Sequence, residues 1–155
     1  MKKNTELIEK FYSAFQKLDS DSMVECYHDD IEFSDPAFPN LRNSDAGSMW
    51  KMLCSQAKDF ELSFSDIKAD ETTGSAHWEA KYLFSMTGRM VHNRIEATFR
   101  FQDGKIIQHN DHFNFWKWSS MALGPVGMVL GWSALLKNKV RKQADKNLKR
   151  YIAKL

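Results

Sequence analysis

Three side chains in this sequence could share proton chemistry: Asp35, His109 and Asp111. His109 and Asp111 lie two residues apart in KIIQHNDHFNFW, residues 105–116. That stretch follows Asp103-Gly104, a pair suited to a tight type I′ turn because both central residues of such a turn need φ > 0. Read as one strand, it places Ile107, His109, Asp111, Phe113 and Phe115 on one face. Ile106, Gln108, Asn110, His112, Asn114 and Trp116 fall on the other. The first face is mostly apolar. Burial disfavours charge, so an ionisable pair there shifts its protonation or binds something.

Asp35 closes the segment YHDDIEFSDP, where Ile31, Phe33 and Asp35 share a face. Pro36 cannot donate to a ladder and disfavours a helical conformation at Asp35, so the strand ends there. Burial beside Phe33 and Phe38 would raise the Asp35 pKa toward neutrality, where proton transfer is efficient. Each group also has a purely structural reading. Asp35 could accept from the following backbone, His109 could be a core histidine paired to Asp111, and Asp111 could bond Tyr12 or Tyr27. Asn93, on the apolar face of its strand, is suited to bind a ligand carbonyl. Tyr12, Tyr27, Trp78, Tyr82 and Phe113 are expected around the same ligand. No cofactor and no metal are expected, because these three residues match no common ligand spacing.

The elements that must position these groups follow from periodicity. Leu7, Ile8, Phe11, Phe15 and Leu18 predict a helix over 5–18, with Asn4 as its N-cap. A short second helix follows Asp19-Ser20, with Met23, Val24 and Tyr27 inward. Residues 37–44 read as a loop. A third helix begins at Ser44 or Asp45, with Met49, Leu53 and Ala57 inward. From residue 61 the period becomes two, and turns at Thr73-Gly74, Thr87-Gly88 and Asp103-Gly104 divide four strands. Helices followed by an antiparallel meander predict an α+β fold, a cone-shaped barrel with helices packed on a curved sheet. One domain is expected over 1–116.

The remainder, 117–155, has a different character. Residues 119–136, SSMALGPVGMVLGWSALL, carry no charge but are interrupted by Gly124-Pro125, Gly127 and Gly131. The length is short for a membrane span, so a lid or a dimer contact is expected, with a membrane-surface segment as the lesser alternative. A last helix over about 133–154 shows a seam of Leu136, Val140, Ala144, Leu148 and Ile152. Residues 137–154 carry +7 and the rest of the chain −5. The acidic body argues against a nucleic-acid surface. The basic helix is expected to pack on the sheet or a partner chain, with an anionic membrane surface as the lesser alternative. Cys26 and Cys54 follow no metal or redox spacing, and MKKNTELIEKF has no signal-peptide core. A reduced, cytoplasmic protein is therefore expected.

This order of elements, with its strand ending in Asp-Pro, resembles the nuclear transport factor 2-like superfamily, in its SnoaL-like and ketosteroid isomerase-like branch. The resemblance covers about residues 5–116. It implies that Asp35 stands where the isomerases carry their base. The isomerase oxyanion donors are replaced here by Phe11 and Ala97, and the Asp-Arg-Asp relay of the epoxide hydrolases cannot be rebuilt, because Arg94 and Arg100 face outward. The SnoaL-like cyclases, which use an Asp near the final strands with histidines, match best through Asp111 and His109.

Two readings follow. The first is a protein that binds a small apolar molecule and acts as a cofactor-independent isomerase, cyclase or hydrolase through Asp35 and Asp111/His109. The second is a noncatalytic ligand-binding or assembly module whose basic helix meets a partner or membrane. A homodimer is expected from the uncharged alternation of Gln108, Asn110 and Trp116.

Overall fold

A computed structural model describes residues 2–155. Apolar residues at helical spacing wind Lys2–Gln16 into α1, which buries Ile8, Phe11, Tyr12, Ala14 and Phe15. Asn4 is not its cap. It lies inside the helix, and its amide donates to the carbonyls of Asp70 and Glu71. The chain reverses through Leu18, at φ 56°. Asp19 then caps α2 (Ser20–Glu25) by accepting from the Ser22 N–H. Tyr27 is not on that helix; it opens β1 (Tyr27–Ser34). The presumed loop 37–44 contains a two-residue strand, β2 (Leu41–Arg42), before α3 (Ser44–Gln56). Then come β3 (Glu61–Ala69), β4 (Thr73–Phe84), β5 (Arg89–Gln102) and β6 (Lys105–His112).

The six strands form one sheet in the order β2-β1-β6-β5-β4-β3. The meander is antiparallel as expected, but β1 runs parallel to β6, so the sheet is mixed. Helices α1 and α3 lie on its concave face. The architecture is the α+β cone expected from the sequence, with the sheet not closed on itself. Along β5 the alternation is strict: Val91, Asn93, Ile95, Ala97 and Phe99 are buried while their neighbours are not.

Two details of β6 depart from the expected alternation. Ile106 pairs with Phe101, yet Gln108 pairs with Arg100. One extra residue on β6 makes a bulge at Ile107. Ile106 therefore turns inward and is fully buried, and Ile107 does not. Beyond the bulge the expected parity returns, so His109 and Asp111 do face the core. The strand also ends earlier than expected, at His112. Asn114 accepts from the Lys117 N–H and starts a helix, α4 (Phe115–Leu123). Phe115 and Trp116 are thus helical. Trp116 leaves the sheet face on which the expectation of a dimer rested.

The tail continues as α5 (Pro125–Leu130) and α6 (Ala134–Ala153), the latter capped by Ser133. Gly124, at φ +67°, makes the corner between α4 and α5. The α6 seam turns inward, with Leu136 and Leu148 buried; it packs on α3, and Val140 packs against the cluster of Val91, Phe115, Trp118 and Ala122. Helices α4 and α5 cross closely at Gly127, where an added Cβ would stand 1.9 Å from the Ser119 carbonyl oxygen. Replacing Gly127 with Ala must push the two helices apart. The expected cost is about 1–3 kcal/mol, read as a melting temperature lowered by roughly 5 °C. An unchanged melting curve would show that the crossing is not tight.

Candidate active site

The site begins with a row of buried polar groups that runs from the cavity wall into the core. Trp50 on α3 donates its Nε1–H to the Tyr27 hydroxyl at 2.8 Å. Tyr27 lies 2.7 Å from Nδ1 of His109. The other ring nitrogen, Nε2, lies 2.9 Å from Asp111 Oδ1. Trp78 Nε1–H donates to the same oxygen at 3.2 Å. Proton directions follow from the ends. A tryptophan N–H can only donate, so Tyr27 accepts from Trp50 and sends its own proton to Nδ1. The imidazole proton is then on Nε2 and points at Asp111. Burial holds the Tyr27 phenol well above its ordinary pKa, so it stays a donor.

His109 is wholly buried among rings: Phe99 at 4.6 Å, Phe33 at 5.1 Å and Phe11 at 5.5 Å between centroids. It does not line the cavity. Tyr27 and Tyr12, both expected around a ligand, do not line it either. Tyr27 is the middle of the row just described. Tyr12 is packed between Phe64, Trp78 and Phe99, and its hydroxyl has no partner among the described residues. The cause is their place in the chain: α1 and the start of β1 lie beneath the wall.

In front of the row lies a cavity of about 730 Å³, a volume usual for small-molecule sites. Its wall is largely apolar, from Phe15, Trp50, Phe60, Ile95 and Phe113 among others. The expected Trp78, Tyr82, Asn93, Asp35 and Asp111 all line it. The parallel rungs Phe33–His109 and Ser34–Asn110 end one step short of Asp35 and Asp111. That register brings the two carboxylates together. Asp35 Oδ1 accepts from the backbone N–H of Ala37 at 2.7 Å and of Phe38 at 2.6 Å. Burial outweighs these bonds, and the Asp111 charge adds to it, so the Asp35 pKa is pushed up to about 7. Arg141 of α6, whose Nε donates to the Pro36 carbonyl, opposes the rise.

Three further polar groups face the cavity with capacity to spare. Among the described residues, the Asn93 amide and the second Asp111 oxygen have no protein partner. Tyr82 accepts from Trp118 Nε1–H at 2.9 Å, which leaves its own proton free to donate. Burial raises the Tyr82 pKa to about 12, so it remains a donor. Sequence reasoning missed Trp118 and Trp50. The available signal was that a buried indole N–H needs an acceptor. It also missed the share of the wall supplied by α6, including Leu136 and Val140. Among the described residues no cluster of three or more His, Cys, Asp or Glu is placed to hold a metal.

The sequence profile of the SnoaL-like domain matches residues 8–109. This chain belongs to the SnoaL-like family. No protein of curated function matches it in sequence. Among solved structures it is similar to an LEH-like epoxide hydrolase of M. tuberculosis, at 19% identity and TM-score 0.67, over 83% of this chain and 96% of that one. It is likewise similar to TsrD from Streptomyces laurentii, at 18% identity and TM-score 0.67, over 79% and 96%. TerC, co-crystallised with polyporic acid, matches at 15% identity and TM-score 0.67, over 78% and 98%. At these identities the likeness carries the fold alone. In this SnoaL-like chain the profile stops two residues before Asp111, so the second carboxylate and everything on α4 and α6 lie beyond it.

Two outcomes test this arrangement. Tyr27→Phe removes an acceptor from Trp50 and a donor from His109, both buried, and should cost about 1–3 kcal/mol; a stability equal to wild type in urea would refute the row. For Asp35 the sign follows from its raised pKa. The folded state holds the Asp35 proton to about pH 7, whereas the unfolded chain releases it at the ordinary carboxylate pKa. Asp35 therefore contributes stability below pH 4 that is lost as pH rises through about 7. Asp35→Asn should match wild type at pH 4 and melt a few degrees higher at pH 8. Equal melting at both pH values would place Asp35 in solvent.

Proposed function

We propose that this SnoaL-like protein is a cofactor-independent acid–base enzyme acting on a small, mostly apolar carbonyl compound. The observation that carries the proposal is Asp35 on an apolar cavity wall, beside Asp111, with a pKa of about 7 and one oxygen free of backbone bonds. In this reading Asp35 as carboxylate removes a proton from carbon next to the substrate carbonyl. The electron pair moves onto the carbonyl oxygen, where the Tyr82 hydroxyl or the Asn93 amide donates to it. Asp35 then returns the proton to a second carbon in an isomerisation. In a cyclisation the enolate carbon instead forms a bond to another carbonyl carbon, whose oxygen takes the proton. Asp111 is held in place by His109 and Trp78, and its charge keeps Asp35 basic enough to work near neutral pH.

The cavity's apolar wall favours terpenoid-like, polyketide-like or aromatic ketones. TerC, which shares this fold, has been co-crystallised with polyporic acid. A second reading, noncatalytic binding of the same class of ligand, is supported by the two backbone bonds that occupy Asp35 Oδ1.

The test is α-proton exchange in heavy water, followed by proton NMR over a panel of cyclic and aromatic ketones. Wild type should exchange at least one class, with a rate that rises through about pH 7 as Asp35 ionises. Asp35→Asn should lower that rate by at least ~100-fold while the ligand still binds. Unchanged exchange in Asp35→Asn defeats the acid–base assignment. Binding with no exchange in wild type selects the noncatalytic reading.

A further inference from the structure

The end of the molecule where the cavity opens carries an apolar surface that the acid–base chemistry does not use. Most of the large exposed apolar side chains of the chain fall within residues 116–135. Val129 is 66% exposed, Trp132 72% and Leu135 76%. They are displayed by construction. Gly127 and Gly131 turn toward Ser119 of α4, so the side of α5 bearing Met128 and Val129 must point away from the protein. The β4–β5 hairpin joins this end, because Thr87 donates to the Ala122 carbonyl and Arg89 to the Met121 carbonyl. Met86 at the hairpin tip is 68% exposed. Met86 and Val126 also line the cavity, so its rim and the apolar surface are continuous.

Immediately after Leu135 the sign of the surface changes. Helix α6 carries Lys137, Lys139, Lys142 and Lys146, and residues 137–154 sum to +7. Its one acid, Asp145, is already paired with Lys149 at 2.9 Å. An apolar tip with exposed tryptophan, continued by a basic helix, is the chemistry that meets the headgroup region of an anionic bilayer. A second copy of the chain fits less well. A two-fold contact through this tip would bring two +7 helices together. Among the described residues no helix is long and apolar enough to cross a membrane, so contact would be at the surface.

We propose that the tip formed by Met86, Val126, Val129, Trp132 and Leu135 docks on the surface of an anionic lipid bilayer. The cavity then opens against lipid, and an apolar ligand enters from the bilayer without crossing water. This does not rest on the identity of the reaction, and its test reads binding rather than turnover.

The experiment is flotation of the full chain with vesicles of phosphatidylcholine, with and without phosphatidylglycerol, alongside the fluorescence of Trp132 and its neighbours. Wild type should bind the anionic vesicles at least ~10-fold more tightly than the neutral ones, with a blue shift in emission and weakening in high salt. Val129→Ser/Leu135→Ser removes exposed apolar groups outside the cavity wall and should lower binding at least ~10-fold, with an unchanged circular dichroism spectrum. Lys142→Glu/Lys146→Glu should remove the preference for anionic lipid. The proposal is overturned if wild type does not bind anionic vesicles, or if the serine variant binds them equally. It is also overturned if light scattering shows a wild-type dimer that the serine variant converts to monomer, which would put a second copy on the tip.

Discussion

The row Trp50–Tyr27–His109–Asp111–Trp78 is the constraint on which the rest of the structure depends. It joins α3, β1, β6 and β4 through buried groups, three of which also reach the cavity wall. Each member is satisfied only when both neighbours are in place, and an unmet buried partner costs about 1–3 kcal/mol. The row therefore fixes register. His109 must sit opposite Phe33 across the parallel pair for its Nδ1 to meet Tyr27. Once it does, Asp111 and Asp35 are brought to the same level of the sheet. The closeness of two carboxylates in an apolar cavity is thus a consequence of the packing behind it. The indole N–H of Trp50 at one end and the Trp78 N–H at the other set the direction of every proton between them.

The two carboxylates are then made different by what holds them. Asp111 receives side-chain donors that belong to the core, and both fall on the same oxygen. Asp35 receives two backbone N–H groups from the turn after β1, and these do not offset the hydration it loses by partial burial. One group is tied to a fixed proton row, whereas the other holds a proton that can be exchanged near neutral pH. Environments that separate two otherwise similar acids are what acid–base chemistry needs. The cavity volume and wall could be kept by many sequences; this pairing could not.

Much of this was legible because it rests on period two and on punctuation by glycine and proline. The strict alternation of Val91 to Phe99 identified the inward face, and with it Asn93. Asp35 before Pro36 could only end a strand. His109 and Asp111 were placed on the inward face although the reason at Ile107 was misjudged, since a bulge shifts parity without leaving a mark in the residue types. Tyr12 and Tyr27 are expected either around a ligand or as partners of Asp111, and the structure puts neither on the cavity wall. Whether a phenol lines a cavity or sits beneath its wall depends on how α1 and β1 stack, which is a property of tertiary packing. The end of β6 was missed for a local reason: Phe113, Phe115 and Trp116 continue the apolar look of the strand, and only the capping bond from Asn114 to Lys117 converts the chain to helix.

The sequence leaves open whether the C-terminal segment is a lid or a dimer contact, and in the structure it lines the cavity. The family profile ends at residue 109. Beyond it, Trp118 orients the Tyr82 hydroxyl, Arg141 moderates the charge balance at Asp35, and Leu136 and Val140 close the wall. A sheet and three helices of this kind form an open cone; here α4 to α6 cover one side of its mouth and leave the other at the apolar tip. The same helices therefore line part of the cavity and carry the exposed apolar tip. The uncharged, glycine-interrupted stretch 119–136 satisfies most of its backbone groups in short helices while presenting side chains that water does not favour. The free energy of that exposure is left unbalanced by the protein alone, and it lies at the rim of the cavity, where Met86 and Val126 stand.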